Sequence, residues 1–270
     1  PPGSPRTVKI WGRGHTLAEA KTVFEGQHQD VLVSPGVFQG RSGATALISR
    51  SLTFFDSEYS VLVNDEAVRL PLPETVDMKA EIDGYLIATM RKEWTPQNGP
   101  AIPQGSLIAF PLKEFLATRT PPRIAVLYAP NPRSSVQRVS AGRDAVYASI
   151  FENVTGSIHA FKLDPAAGTW SDTRLNLPAG GSTSITSSNE FGPEAYFTYS
   201  GFLTPTTLFS ERGEGQPKAI KSLPARFDAS PYQETQYEAV SKDGTRVPYF
   251  VVRGKNATGP APMLLYGYGG

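Results

Sequence analysis

Cysteine is absent from this chain of 270 residues, which excludes structural disulfides, cysteine nucleophiles and thiolate metal sites. Histidine is scarce, because His15, His28 and His159 are the only three, and no two of them have the spacing of paired metal ligands. The sequence therefore predicts no metal site and no cofactor. The lack of cysteine does not separate cytoplasm from periplasm, so the compartment stays open.

The positive and negative charges nearly balance, with 26 Lys and Arg against 25 Asp and Glu, and the sequence has no long run of like charges. Nucleic acid and anionic membranes are therefore not expected partners. No apolar run approaches the ~20 residues of a membrane span. Residues 1–5 lack both an initiator methionine and the regions of a signal peptide, so we expect a start inside a longer protein.

A serine nucleophile of the α/β-hydrolase class is missing as well. Such a serine sits in Gly-x-Ser-x-Gly on a strand-to-helix turn, with Asp and His following. Neither Gly180-Gly181-Ser182-Thr183-Ser184 nor Gly40-Arg41-Ser42-Gly43 fits that pattern, and both are predicted to be loops. His159 alternates with Phe161 and Leu163, which favours a partly buried structural imidazole over a catalytic base.

What the chain does contain is a succession of short β-strands separated by turn residues. Only residues 16–21 and 112–119 are predicted to be helical. The clearest unit is a meander of strands 145–151, 158–163 and 169–170, with a turn at 153–156. A comparable unit begins at Ala195, about 50 residues later, which is a typical repeat length for propeller blades.

The strand 85–90 is largely apolar on both alternating faces, as expected for a sheet packed between two others. At ~40 to 60 residues per blade, the region from Val8 to Leu223 holds about four or five four-stranded blades. The predicted fold is mainly β, with a partial β-propeller over residues 1–232. Its open blade edges expose unpaired N–H and C=O groups, so self-association or instability is expected.

The pattern changes after Ala229-Ser230-Pro231. Strands are predicted at 234–241, 247–252 and 262–266, the first two forming a hairpin. The third, Pro262-Met263-Leu264-Leu265-Tyr266, is apolar on both sides and predicts a buried strand of a helix-covered sheet. It runs into a glycine-rich turn at Gly267-Tyr268-Gly269-Gly270, which is typical of a close approach between backbone and ligand.

Three motifs, in order along the chain, resemble the prolyl oligopeptidase family of serine peptidases. Residues 264–270 resemble the opening of its catalytic domain, 196–205 its last-blade signature and 241–248 its entry into the hydrolase domain. Weaker similarity extends the resemblance over nearly the whole chain. It implies a seven-bladed parent propeller, with residues 233–270 as the first strands of a truncated α/β-hydrolase domain.

The resemblance also implies a function. The parent would cleave short peptides, and the form of residues 266–270 looks like the branch that cleaves after proline. Its propeller would restrict access to oligopeptides. By motif position Tyr268 would donate its hydroxyl to the oxyanion, although an aromatic wedge over the turn is the alternative role. The chain alone would be inactive, since it lacks the Ser, Asp and His triad.

A second hypothesis comes from another class of protein. The chain could be a non-enzymatic propeller that binds a peptide or protein partner, with the terminal glycine-rich segment acting only as a turn. Any residues encoded beyond Gly270 would discriminate between the two, because a binding propeller needs only a closing blade and a peptidase needs a hydrolase domain. Within the chain, the predicted hairpin and buried strand of residues 241–270 favour the enzyme, because they no longer repeat the blade pattern.

Overall fold

The computed structural model describes residues 4–267. It opens with an antiparallel pair, β1 (Thr7–Ile10) and β2 (Lys21–Glu25). The helix predicted at 16–21 is a single 3₁₀ turn, Leu17–Glu19, in which the Thr16 N–H donates to the Glu19 carboxylate over 2.7 Å. The helix is shorter than predicted because Lys21 is already paired with Ile10 in the strand.

Four antiparallel sheets come next, each of four strands that pair in chain order. Sheet 1 contains β3 (Leu32–Gly40), β4 (Gly43–Ser51), β5 (Ser57–Val63) and β6 (Glu66–Arg69). Sheet 2 contains β7 (Val76–Ile82), β8 (Tyr85–Met90), β9 (Leu107–Pro111) and β10 (Ala125–Tyr128). Sheet 3 contains β11 (Ser134–Ala141), β12 (Val146–Glu152), β13 (Thr155–Asp164) and β14 (Thr169–Arg174). Sheet 4 contains β15 (Ser182–Ser188), β16 (Ala195–Ser200), β17 (Thr207–Glu211) and β18 (Lys218–Ser222).

The sheets pack face to face, and the first strand of each contacts the first strand of the next. Alternation along the middle strands explains this arrangement. On β12, Val146 and Ala148 pack toward sheet 2, while Tyr147 packs toward sheet 4. On β8, Leu86 and Ile87 are both fully buried, one in each neighbouring core, which confirms the prediction of a sandwiched strand.

Helix α1 (Leu112–Thr118) links β9 to β10 and confirms the prediction at 112–119. It ends at Arg119, whose left-handed φ of 59° stops the helix. Phe115 of α1 contacts Phe110 with ring centroids 5.7 Å apart, so the helix closes the core between sheets 1 and 2. No helix within residues 4–267 is long and apolar enough to cross a membrane.

The four-strand repeat ends after β18. The last two strands, β19 (Tyr232–Val240) and β20 (Arg246–Gly254), form a separate two-stranded hairpin, as predicted. The prediction of a buried strand at Pro262–Tyr266 is wrong: this segment is not a strand, and Leu264 is 93% exposed. An apolar strand needs hydrogen-bonded neighbours, and no strand among residues 4–267 pairs with it.

A candidate site on the loop face of sheets 3 and 4

Because every sheet is an antiparallel meander, the loops after its second strand and the connections to the next element lie at one end, here called the loop face. On sheets 3 and 4 that end carries Asn153, Arg133, Gly180 and Phe202. The β19–β20 hairpin sits on it, since Gln236 Nε2 donates to the Asn153 carbonyl over 2.7 Å. The hairpin that begins at residue 232 is therefore attached to the loop face.

An ion pair fixes the sheet 3 side of the hairpin. Arg133 Nη1 lies 2.5 Å from Glu238 Oε1, and Arg246 Nη1 donates to Glu238 Oε2 over 2.8 Å. Hydrogen bonds from Arg246 and then Arg133 hold the pKa of the Glu238 carboxyl below its usual value. Arg133 also donates to Asn153 Oδ1 over 3.1 Å, so one guanidinium joins the hairpin to the 153–154 turn.

The sheet 4 side of the hairpin is apolar apart from one carboxyl group. The rings of Phe202 and Phe250 pack with centroids 5.3 Å apart. The Phe202 N–H faces the Glu234 carboxyl, whose Oε1 is sealed from solvent without a hydrogen-bond partner among the described residues. Burial raises the pKa of Glu234, and burial together with the charge of Glu234 raises the pKa of Tyr199.

Two clefts flank Phe202. The larger, of about 420 Å³, opens between the 200–206 loop and the 223–229 segment. Its wall includes Phe202 and Phe227, which are 58% and 54% exposed. The smaller, of about 300 Å³, lies between Gly180, Val154 and Phe250. Both clefts are lined by polar groups as well as by aromatic rings, and their described walls carry no serine paired with a histidine.

The turn beneath the hairpin is strained. The sequence predicts it over residues 153–156, but it contains only Asn153 and Val154, with φ of 47° and 62°. A β-branched residue in the left-handed region is unfavourable by about 1–2 kcal/mol. Gly156 already belongs to β13, and its N–H donates to the Gly181 carbonyl over 2.9 Å, which ties sheet 3 directly to sheet 4.

The residues singled out in the sequence do not form one site. Tyr268 lies outside the described residues. His159 is partly buried, as predicted, and its Nδ1 lies 2.8 Å from Asp172 Oδ1 while its ring stacks on Phe161. Within residues 4–267, no group of three or more His, Asp or Glu side chains is placed to hold a metal ion.

The two glycine-serine segments also differ in part from the prediction of loops. Arg41 and Ser42 form a two-residue turn between β3 and β4, as predicted. Ser182 to Ser184, in contrast, begin β15, because Ser182 and Thr183 pair with Ser200 and Tyr199 on β16. Neither serine lies in a strand-to-helix turn, so neither has the geometry of an α/β-hydrolase nucleophile.

The sequence patterns did not predict that Arg133, Glu234 and Glu238 meet on the loop face. A signal was present in β19, where Glu234, Gln236 and Glu238 alternate and therefore share one strand face. When every second residue of a strand is polar, that face of the strand contacts polar groups or solvent and not a hydrophobic core. The partner arginine, about a hundred residues upstream, carries no comparable pattern.

The comparisons with known proteins agree with this geometry. Residues 3–216 match the family described as prolyl oligopeptidase, N-terminal beta-propeller domain. An uncharacterised peptidase of Sinorhizobium fredii is 36% identical over 97% of this chain and 37% of its own length. The structure of a post-proline cleaving enzyme from Rickettsia typhi has a TM-score of 0.76 at 24% identity, over 94% of this chain and 38% of that one.

A third comparison comes from a fungus. The structure of prolyl oligopeptidase B from Galerina marginata bound to a 35mer hydrolysis and macrocyclization substrate has a TM-score of 0.60 at 18% identity. It covers 94% of this chain and 35% of that one, so this chain spans little more than a third of the proteins it resembles. Four successive four-stranded sheets and a family match over residues 3–216 show that the chain belongs to the prolyl oligopeptidase family, in the region of its N-terminal β-propeller.

Proposed function

We propose that this chain is part of a serine oligopeptidase that cleaves short peptides after proline, with the propeller restricting access. One observation carries the proposal beyond the propeller itself. The four-strand repeat stops at β18, and the chain then leads through a hairpin to apolar residues 263–266, which are 82–93% exposed. Such a run needs a cover of further strands and helices, which an α/β-hydrolase domain would supply.

The domain division rests on the same change. Residues 1–232 would be the propeller, and the four-stranded sheets 1 to 4 would be four blades of a seven-bladed parent. Residues 233–270 would begin the hydrolase domain. The hairpin would be its first supersecondary unit, seated on the propeller by Gln236 and Glu238.

Within that domain Tyr268 would act as an oxyanion donor. The attacking serine, its histidine base and the orienting aspartate would come from residues outside this chain. As the serine attacks the scissile carbonyl, negative charge develops on the carbonyl oxygen, and the Tyr268 hydroxyl would donate a hydrogen bond to it. A preorganised donor of this kind is worth about 3 kcal/mol in the transition state.

The oligopeptide preference would come from the propeller, which would leave folded proteins outside and admit extended chains. The peptide-bound structure from Galerina marginata supports a substrate of this class. In the full-length protein, hydrolysis of proline-containing peptides should fall as substrate length grows beyond the size the enclosed space admits. A folded protein with an exposed proline loop should resist cleavage, whereas the same loop as a free peptide should be cut.

The test of the catalytic proposal is Tyr268→Phe in the full-length protein, which removes the hydroxyl and keeps the ring. We expect kcat on a fluorogenic proline peptide to fall about 10²–10³-fold with little change in KM. An unchanged kcat would assign Tyr268 to the turn alone. The 270-residue chain by itself should neither hydrolyse the peptide nor react with a serine-directed phosphonate.

A further inference from the structure

We propose that the β19–β20 hairpin binds the loop face in a pH-dependent way, and we call its contacts with sheets 3 and 4 the seat. The seat is firmest when the Glu234 carboxyl carries a proton and the Glu238 carboxyl does not. The inference goes beyond the proposed peptidase activity and does not rest on it. Its basis is the geometry of the seat, which bridges two sheets. Gln236 and Glu238 hold sheet 3, while Glu234 and Phe250 hold the 200–206 loop of sheet 4.

Glu234 is the unusual member of the seat. Its Oε1 is closed off from solvent without a hydrogen-bond partner among residues 4–267. A Cβ built on Gly180 would stand 3.5 Å from Oε1, in ordinary van der Waals contact, so the Gly180 backbone lies against this oxygen. An ionised carboxylate with a sealed, unpaired oxygen is far less favourable than the neutral acid in the same place.

Within the part of the chain that the structure describes, no cation offsets that charge. The titratable group facing Glu234 is Tyr199 of β16, whose hydroxyl is already used, because it donates to the Ala179 carbonyl over 2.7 Å. The 179–181 and 200–206 segments contain no charged residue. Across the hairpin, Glu234 pairs with Val252. Ionisation of Glu234 therefore opposes seating of the hairpin, and release into water relieves the penalty.

Glu238 acts in the opposite direction. Facing it are Arg133 of the sheet 3 connection and Arg246 of β20, both within hydrogen-bond distance. Arg133 is the one of the two that lies outside the hairpin, so its bond contributes to the seat and is lost when Glu238 is protonated. Deprotonation of Glu234 therefore weakens the binding of the hairpin to the loop face, whereas deprotonation of Glu238, on the same strand face, strengthens it.

The sign of each contribution is set by linkage. The pKa of Glu234 is raised above 4.5, so its contribution to the seat is present below pH 4.5 and lost as the pH rises through its seated pKa. The pKa of Glu238 is lowered below 4.5, so its contribution is present above pH 4.5 and lost as the pH falls through its seated pKa. The seat is therefore firmest in mildly acidic solution and loosens toward neutral pH.

The experiment is hydrogen exchange of the 270-residue chain between pH 4 and 8, with rates corrected for the intrinsic pH dependence of exchange. We expect protection of the β19–β20 amides to fall severalfold across this range. Each unit by which the pKa of Glu234 differs between the bound and the released hairpin changes the equilibrium between these two states tenfold. The β8 amides, buried between sheets 1 and 3, serve as an internal reference and should keep their protection.

Glu234→Gln keeps the shape of the side chain but cannot ionise. Its hairpin protection should not change between pH 5 and 8. Glu238→Gln should lose protection throughout this range, and Glu214→Gln, an exposed residue of the β17–β18 loop, should behave as wild type. The proposal fails if Glu234→Gln and wild type share one pH profile, or if β8 loses protection in step with the hairpin.

Discussion

Tyr147 on β12 donates its hydroxyl hydrogen to Glu211 Oε2 on β17 across 2.7 Å, joining sheets 3 and 4 inside their shared core. Both residues are at most 3% exposed. The second carboxylate oxygen, Oε1, accepts the Gly215 N–H over 2.7 Å, and the Tyr147 ring packs edge-on against Phe197. Among residues 4–267 this buried carboxylate has no arginine or lysine partner, so its stability depends on these two donors.

Tyr147→Phe should therefore lower the free energy of unfolding by about 2 kcal/mol, because it leaves one oxygen of a buried carboxylate without a donor. The ring and its contact with Phe197 are kept, so no cavity forms. Urea unfolding followed by circular dichroism measures the change. Tyr196 is half-buried and lies on the face of β16 opposite to Phe197, so Tyr196→Phe should change the free energy of unfolding by less than about 0.5 kcal/mol.

The same hydroxyl predicts an alkaline limit to stability. Burial, followed by the hydrogen bond and charge of Glu211, raises the pKa of Tyr147 above its ordinary value of 10.0. The contribution of Tyr147 is thus present below pH 10 and lost above it, because the unfolded tyrosine ionises there. Tyr147→Phe should unfold with a weaker pH dependence in that range. Equal alkaline slopes for both proteins would contradict this account of the Tyr147–Glu211 contact.

Asp30 gives a matching prediction at acidic pH. Its carboxylate accepts Arg50 Nε and Nη2 over 2.8 and 2.9 Å, and its side chain is only 2% exposed. Asp30→Asn should cost about 2 kcal/mol, since it removes the bidentate partner of a largely buried guanidinium, which keeps only its contact with Glu58 over 3.1 Å. Thermal unfolding measures this loss. Asp65→Asn breaks only an exposed pair with Lys21 and should cost less than about 1 kcal/mol.

The pH dependence of this pair has a definite sign. Hydrogen bonds from Arg50 hold the pKa of Asp30 below its usual 3.8. Its contribution is present above pH 3.8 and is lost as the pH falls through the lower, folded pKa. The gap in melting temperature between wild type and Asp30→Asn should therefore narrow in acid. A gap that stays constant from neutral pH to below pH 3 would refute the assignment.

Much of the fold was predictable from the way polar and apolar side chains are distributed over the two faces of each strand. Leu86, Ile87 and Ala88 marked a strand buried on both faces, and that pattern is local. The turn at Asn153 and Val154 was not fully predictable, because Val154 disfavours the φ it adopts and is held there by the sheets around it. The prediction for residues 262–266 is wrong for a related reason, since apolar character indicates burial but not which strands would cover the segment.

The candidate site was less predictable than the fold. Arg133 and Glu238 are 105 residues apart, and their contact depends on how the hairpin folds back across sheet 3. The sealed oxygen of Glu234 depends likewise on the 200–206 loop. Local periodicity assigns a strand face but carries no information on which distant loop meets it.

Gly156 tests how closely sheets 3 and 4 must approach. A Cβ built at this position would stand 2.5 Å from the Thr183 backbone nitrogen, and backbone cannot rotate away as a side chain does. Gly156→Ala should cost about 1–3 kcal/mol by forcing the two sheets apart. Urea unfolding gives the value. Gly168→Ala has open space but a φ of 65°, so it should cost only about 1 kcal/mol.

The outer strand of sheet 4 tests self-association. Every residue of β18 is exposed, and the strand pairs only with β17 among the described residues, which leaves one row of backbone N–H and C=O groups available to a second copy. We expect light scattering to show a mass that rises with concentration. Because Lys218 and Lys221 repel a like edge, the rise should be steeper at high salt, where their charges are screened.

Ile220 lies between the two lysines and is 54% exposed, so Ile220→Lys should suppress the association by adding a third charge to the edge. Phe191→Lys changes an exposed apolar residue outside the strands and should leave the association unchanged. A constant monomer mass across a wide range of concentration and salt would show that this edge does not pair. Equal suppression by both variants would instead assign the association to general surface hydrophobicity, and the edge would have no specific role.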